Sequence, residues 1–326
     1  MKGDVASSCE ASGKPGVEDE TSQARGPISL EPLRIYTGIL GQIGDIVMFT
    51  PTVRRLKELF PRSRITFAVS RKYEAAGQLV AGLPYVDHLF VAESYFEKLT
   101  PRVSGAWQAG WPVDLRGDDE VEEERRHDIV LTTRPRHREA SWWKHGHQVA
   151  ECARMIGVPG PIDLRTEIAL PPEVTVPGES KGKIVLHNDP SIDATKAWPW
   201  ESVREFVRRA GPENVVVLGF PGPKVEGTLD YRGKTTLVQA AAIIAAARCY
   251  VGIDSGLMWI AASLQVPTVG LYGTSYVPAY QAIHPMNPKA TFLQAEGRLD
   301  SITPEEVLQC VVRKIEPNAD GGREDR

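Results

Sequence analysis

The chain has 326 residues, of which 42% are hydrophobic and 25% charged, the composition of a globular protein long enough for two domains. Its formal charge of −4 excludes the broad basic field of a nucleic-acid binder, and no apolar run approaches the roughly 18–20 residues of a membrane helix. The four cysteines, Cys9, Cys152, Cys249 and Cys310, have no CxxC spacing, so they point to neither a zinc site nor a disulfide framework and fit a reducing cytoplasm.

Residues 1–31 are rich in Gly, Ser, Glu and Pro, have no apolar signal-peptide core, and read as a disordered tail. After Pro32 strand and helix patterns alternate. "LRIYTGIL" (33–40) reads as a buried strand, "GQIG" as a loop, and residues 45 to about 60 as a helix. In that helix Ile46, Phe49, Val53, Leu56 and Phe60 recur at helical spacing until Pro61 stops it. A strand at 64–70, a helix at 72–82 and a strand at 86–92 follow. The stretch 93–147 is less regular. An acidic run at 118–124 meets a segment, Arg125 to His147, with six Arg or Lys and four His against only Asp128 and Glu139. Within it 127–133 reads as a strand, and 146–158 reads as a helix ending near Gly157.

"LPPEVTVPGESKGK" (170–183) is the best linker, because its prolines and glycines interrupt both periods. Beyond it the alternation resumes. Strands are expected at 183–188, 214–220, 249–255 and 267–273, and helices at about 200–210, 237–247 and 256–265. A final helix at 304–315 is capped by Thr303 with Glu306 three residues on. The fold class is therefore α/β: two doubly wound, Rossmann-like parallel-sheet halves, 32–172 and 173–326, facing a central cleft.

Ligands of such sheets bind outside the carboxyl ends of strands, and three strand-to-helix turns hold polar residues there. In "GQIGD", Gly41 and Gly44 allow a tight turn and close approach of a ligand, and Asp45 stands at the start of the helix. Asp45 is either a cap that complements the helix dipole or a chemical group; the pattern alone favours the cap. In "HNDPSIDATKAWPW", Lys196 precedes a helix start, a place suited to phosphate, although an isolated lysine is more often a solvated one. In "VGIDSGLMW", Asp254, Ser255 and Gly256 either cap a helix or present N–H groups to a diphosphate.

Taken jointly these segments resemble glycosyltransferase family 9, the heptosyltransferase family. The resemblance rests on "GQIGDIVMFTPTVRRLKELFP" (41–61), "KAWP" (196–199) and "GKTTLVQAAAIIAAARCYVGIDSGLMWIAASLQVPTVGLYGTS" (233–275), with its D-S-G-L motif and P-T-V-x-L-Y-G strand. It implies a GT-B fold, with the acceptor on the N-terminal half and a nucleotide sugar on the C-terminal half. It also implies inverting transfer with no cofactor and no essential metal, the donor being an ADP-activated heptose. Asp45 matches the family's catalytic base, Lys196 the lysine that meets the leaving diphosphate, and Thr235 a position lining the nucleotide base. Glu226 is aligned with the acid that holds the ribose. Asp254, Ser255, Gly256 and Leu257 complete the donor side, and Gly41, Gly44, Arg134 and Arg136 are expected on the acceptor side.

The chain departs from the family where its D-S-G-L-x-H histidine is replaced by Trp259. That ring either packs in the core or alters the donor contact. The basic cluster around Arg134 and Arg136 suits an anionic acceptor, or is a solvated face. "SWWKHGH" (141–147) suits a sugar, the core, or peripheral contact with the inner face of a membrane. The acceptor is accordingly a glycan, a lipid core or a small molecule, with no nucleic acid partner. The alternatives are a GT-B enzyme with another donor or a natural-product acceptor, and a nucleotide-binding protein without catalysis.

Overall fold

In the structure, a computed structural model, residues 32–39, 41–93, 117–132, 146–189, 196–273 and 284–316 are described. The first half contributes β1 (Arg34–Gly38), α1 (Ile43–Leu59), β2 (Arg64–Ser70), α2 (Glu74–Ala81), β3 (His88–Ala92), α3 (Asp118–Glu124), β4 (Ile129–Thr132) and α4 (Gln148–Met155). The second contributes β5 (Ile184–His187), α5 (Trp200–Ala210), β6 (Val215–Leu218), β7 (Leu229–Asp230), α6 (Leu237–Ala245), β8 (Cys249–Ile253), α7 (Gly256–Ser263), β9 (Thr268–Gly273), β10 (Ala290–Ala295) and α8 (Pro304–Ile315).

Among the described residues every strand pairing is parallel. The first sheet has the order β3-β2-β1-β4, in which Arg34 to Gly38 pair with Arg64 to Ala68. The second has the order β10-β9-β8-β5-β6-β7. Counted from β5 this is the 3-2-1-4-5-6 order of a complete Rossmann sheet, and the first sheet is its first four strands. β5, β6, β8 and β9 are buried along their whole length, as expected of strands covered on both faces.

Most expected elements are present with ends shifted by no more than three residues. The acidic run 118–124 is a helix, α3, with Asp118, Asp119 and Glu120 in its first turn, where carboxylates complement the dipole. The expected helix at 72–82 opens instead with a 3₁₀ turn, Arg71–Tyr73, before α2. β7 and β10 were not anticipated.

Helix α1 accommodates Pro51 in its interior. Proline cannot donate to the carbonyl four residues back, that of Val47. The Thr50 hydroxyl donates to that carbonyl at 2.8 Å and accepts the Glu167 N–H at 3.1 Å, so the T-P pair is locally satisfied and ties the helix to the segment before the linker. The same segment is held by Ala169 N–H to the Leu79 carbonyl and by the Thr166–Ser263 hydroxyl pair at 2.7 Å. Apolar packing continues from one sheet to the other. Val47 and Met48 of α1, Leu79 of α2 and Val149 of α4 share a buried cluster with Val185, Val216, Tyr250, Met258 and Trp259. Among the described residues no helix is long and apolar enough to cross a membrane.

Candidate active site

The chain leaves β5 toward β6 and β7 and returns to β8 on the other side of β5. That reversal opens a crevice at the carboxyl ends of β5 and β8, where His187 and Gly252 are the last paired residues. Asn188 and Asp189 leave β5 there, and Asp254 and Ser255 leave β8.

Asn188 fixes the K-A-W-P turn. Its side chain accepts the Trp198 N–H and donates to the Trp198 carbonyl, both at 2.8 Å. The Trp198 ring is fully buried and donates its Nε1–H to the Ile302 carbonyl at 2.9 Å. The turn so anchored carries Lys196 to Asp254, Nζ to Oδ2 2.8 Å, with the two side chains 24% and 13% exposed. The expected phosphate lysine and the acid of the D-S-G motif thus meet across the crevice.

Ser255 is the N-cap residue of α7 by position, yet its side chain makes no capping bond. Its Oγ instead lies 3.2 Å from His187 Nδ1. Burial pushes the His187 imidazole down to about 4, so this ring is neutral at ordinary pH. Ser255 therefore leaves the first-turn N–H groups of α7 without a cap from its side chain.

The first sheet brings its own helix N-terminus to the same place. Asp45 is in the first turn of α1 and its Oδ2 accepts the Gln42 N–H at 2.8 Å. A Cβ at Gly41 would overlap the Asp45 side chain, so the turn needs glycine. Asp45 is partly exposed, and its charge, after burial, helps to raise the Tyr73 phenol. Gly44, one residue before Asp45, packs on α7: a Cβ there would lie 3.2 Å from Trp259 Cδ1 and 3.7 Å from the Gly256 Cα. A Cβ at Gly256 would lie 2.7 Å from Ile43 Cβ. Two glycines therefore let the N-termini of α1 and α7 touch, with Asp45 on one and Ser255 on the other.

Trp259 is 3% exposed, packed between Gly44 and the His147 ring, whose centroid is 6.4 Å away at a T-shaped angle. Of its two expected roles the structure displays core packing. His147 caps α4: its Nδ1 accepts the Val149 N–H while its Nε2–H donates to the His284 carbonyl at 2.7 Å. Burial lowers the His147 pKa. Leu257 is also buried in the cluster shared by the two sheets.

Thr235 precedes α6 and is partly buried, and Glu226 is 77% exposed in an ion pair with Lys224 at 2.8 Å. Among the described residues neither bonds to the crevice side chains. Arg134, Arg136 and most of the 141–147 segment lie outside the described residues. Asn188, His187 and Tyr73 were not singled out by the sequence reading, because each meets its partner well away in the chain. A polar residue that closes a buried strand, as in "VLHN", is the one signal that pointed to the first two. Among the described residues no three His, Cys, Asp or Glu side chains gather as a metal site.

Residues 173–311 match the family described as glycosyltransferase family 9 (heptosyltransferase). No curated protein matches by sequence. Among solved structures, a glycosyltransferase family 9 protein from Veillonella parvula is 18% identical, with 89% of this chain and 99% of that chain covered and a TM-score of 0.63. The E. coli ADP-heptose lipopolysaccharide heptosyltransferase II is 18% identical, with 88% and 99% covered and a TM-score of 0.62. The E. coli heptosyltransferase WaaC with ADP is 16% identical, with 86% and 100% covered and a TM-score of 0.59. At these identities the likeness establishes the fold, which is GT-B. The family match and this fold together identify the chain as a glycosyltransferase, with a family 9 domain over residues 173–311.

Proposed function

We propose that the protein transfers a heptose from an ADP-activated donor to an acceptor hydroxyl, with inversion at the anomeric carbon. The observation that supports this reading is the contact of the two helix N-termini at Gly44 and Gly256, with Asp45 in the first turn of α1 and Asp254, paired with Lys196, just ahead of α7. Asp45 is the general base, taking the proton of the acceptor hydroxyl as its oxygen attacks. The C–O bond to the nucleotide diphosphate breaks in the same displacement. Lys196 and the first-turn N–H groups of α7 meet the charge that grows on the departing phosphate. Thr235 lines the base of the nucleotide, residues 32–172 hold the acceptor, and Arg134 and Arg136 suit an anionic glycan or lipid core. The donor is inferred from the kinship with heptosyltransferases, one solved with ADP and another, TibC, with ADP-D-beta-D-heptose.

Incubation with ADP-heptose and acceptor, followed by mass spectrometry, tests the reading. Transfer that persists in EDTA is expected. Asp45→Asn is expected to lower kcat by about 10²–10⁴-fold while ADP affinity stays within twofold. A variant with wild-type kcat would remove Asp45 from the mechanism, and an ADP-sugar that neither binds nor reacts would remove the donor assignment.

A further inference from the structure

The turn after β6, Gly219-Phe220-Pro221-Gly222-Pro223, has no part in the chemistry above, yet it is held firmly. Asp189, leaving β5, accepts the Phe220 N–H. Gly219 has φ +127°, and a Cβ there would overlap the Asp189 carboxylate and stand 3.2 Å from the His187 ring. A Cβ at Gly222 would lie 3.1 Å from Arg232 Nη1, 3.5 Å from Trp200 Cζ2 and 3.9 Å from Asp189 Oδ1. Arg232 is itself fixed, its side chain 3% exposed, bonded to Asp230 at 2.6 Å and lying 5.6 Å from the Trp200 ring centroid. The Gly233 N–H donates to the Gly219 carbonyl at 2.8 Å and closes the far side.

Out of this clamped turn one ring projects. Phe220 is 68% exposed, the largest exposure among the exposed large hydrophobic side chains of the described residues. A scattered surface Phe needs no explanation by itself. This one stands at a defined place. β6 is the second strand of the 3-2-1-4-5-6 order, and in that order the nucleoside of a bound dinucleotide lies over the carboxyl end of the second strand. Gly219, its neighbour, packs on the same His187 ring that meets Ser255 at the head of α7.

Resting on the nucleotide-sugar reading, we propose that Phe220 is the platform on which the donor's base stacks, and that Asp189, Arg232 and Trp200 are positioning residues that hold it ready. A ring whose backbone is already ordered loses little freedom on binding, so more of the stacking energy appears as affinity. The acids and Arg232 serve the loop and not the ligand. Stacking tolerates any base, so Phe220 supplies affinity for nucleoside diphosphates as a class.

Calorimetric titration of wild type, Phe220→Ala and Phe220→Trp with ADP, UDP and inorganic pyrophosphate tests this. Removing an exposed ring leaves the fold intact, which the melting temperature checks. The expected result is a loss of ADP affinity of about tenfold in Phe220→Ala, recovery in Phe220→Trp, a smaller loss for UDP, and no change for pyrophosphate. Equal ADP affinity in wild type and Phe220→Ala overturns the proposal and leaves the donor reading standing. An equal loss for pyrophosphate also overturns it, since the turn and not the base contact would then matter. A wild-type protein that binds no nucleotide removes the donor reading itself, and the platform with it.

Discussion

Asp45 bonds to the Gln42 N–H and is also the proposed base, and a carboxylate can do both because it offers two oxygens. Asn keeps one acceptor for the cap, so Asp45→Asn is expected to melt within a few degrees of wild type while turnover falls, whereas Asp45→Ala also forfeits about 0.5–2 kcal/mol of capping. Asn188 is a purely positional residue. Asn188→Ala strands the N–H and carbonyl of the fully buried Trp198, an expected cost of about 2–4 kcal/mol, and frees the turn that delivers Lys196. Urea titration should report the first effect and weaker ADP binding the second. The pH dependence of stability has a definite sign. His187 titrates near 4 when folded, against about 6.5 unfolded, so the unfolded chain takes up the proton first as pH falls. Stability is full above about pH 6.5 and declines down to about pH 4, by up to about 1.4 kcal/mol per pH unit from this residue. His284, also pushed down to about 4 by burial, acts in the same direction, while Asp189, pushed up by burial, acts oppositely. His187→Gln should flatten the curve of unfolding free energy between pH 6.5 and 4.5, and an unchanged slope would refute the assignment.

At the scale of elements, the meeting of α1 and α7 depends on the absence of side chains. Gly256→Ala puts a methyl 2.7 Å from Ile43 Cβ on a backbone-fixed neighbour, an overpacking expected to cost about 1–3 kcal/mol. Gly44→Ala meets only the edge of the Trp259 ring at 3.2 Å and should cost less. Thermal melts of the two variants would rank them, and the reverse order would mean that the helices separate more easily than this contact implies. The helices themselves were legible. The spacing of Ile46, Phe49, Val53 and Leu56 set α1, and Thr303 with Glu306 set the start of α8, where their capping box forms. β7 was not legible, since two residues, Leu229 and Asp230, carry no period. β10, "ATFLQA", follows a stretch without a turn or helix pattern to frame it, and only its parallel pairing with β9 makes it a strand.

For the whole molecule, the buried cluster that joins α1, α2 and α4 to the second sheet argues that the halves unfold together. Trp259 sits in that cluster and touches Gly44 of α1 and His147 at the head of α4. Trp259→Ala is expected to cost about 3–5 kcal/mol and to lower one shared transition, with fluorescence and circular dichroism following the same guanidinium curve. Two separated transitions in the wild type would show that the shared cluster does not couple the sheets.

The sequence by itself determined the alternation of strand and helix, the parallel character of the sheets, the three polar turns and the family resemblance, because these depend on periodicity and on residues adjacent in the chain. Only the tertiary structure decided that Lys196 meets Asp254, that Ser255 turns from its cap to His187, and that Trp259 is buried beneath Gly44. Each of those is a contact between residues brought together by the fold, and a linear pattern carries no distance between residues dozens of positions apart.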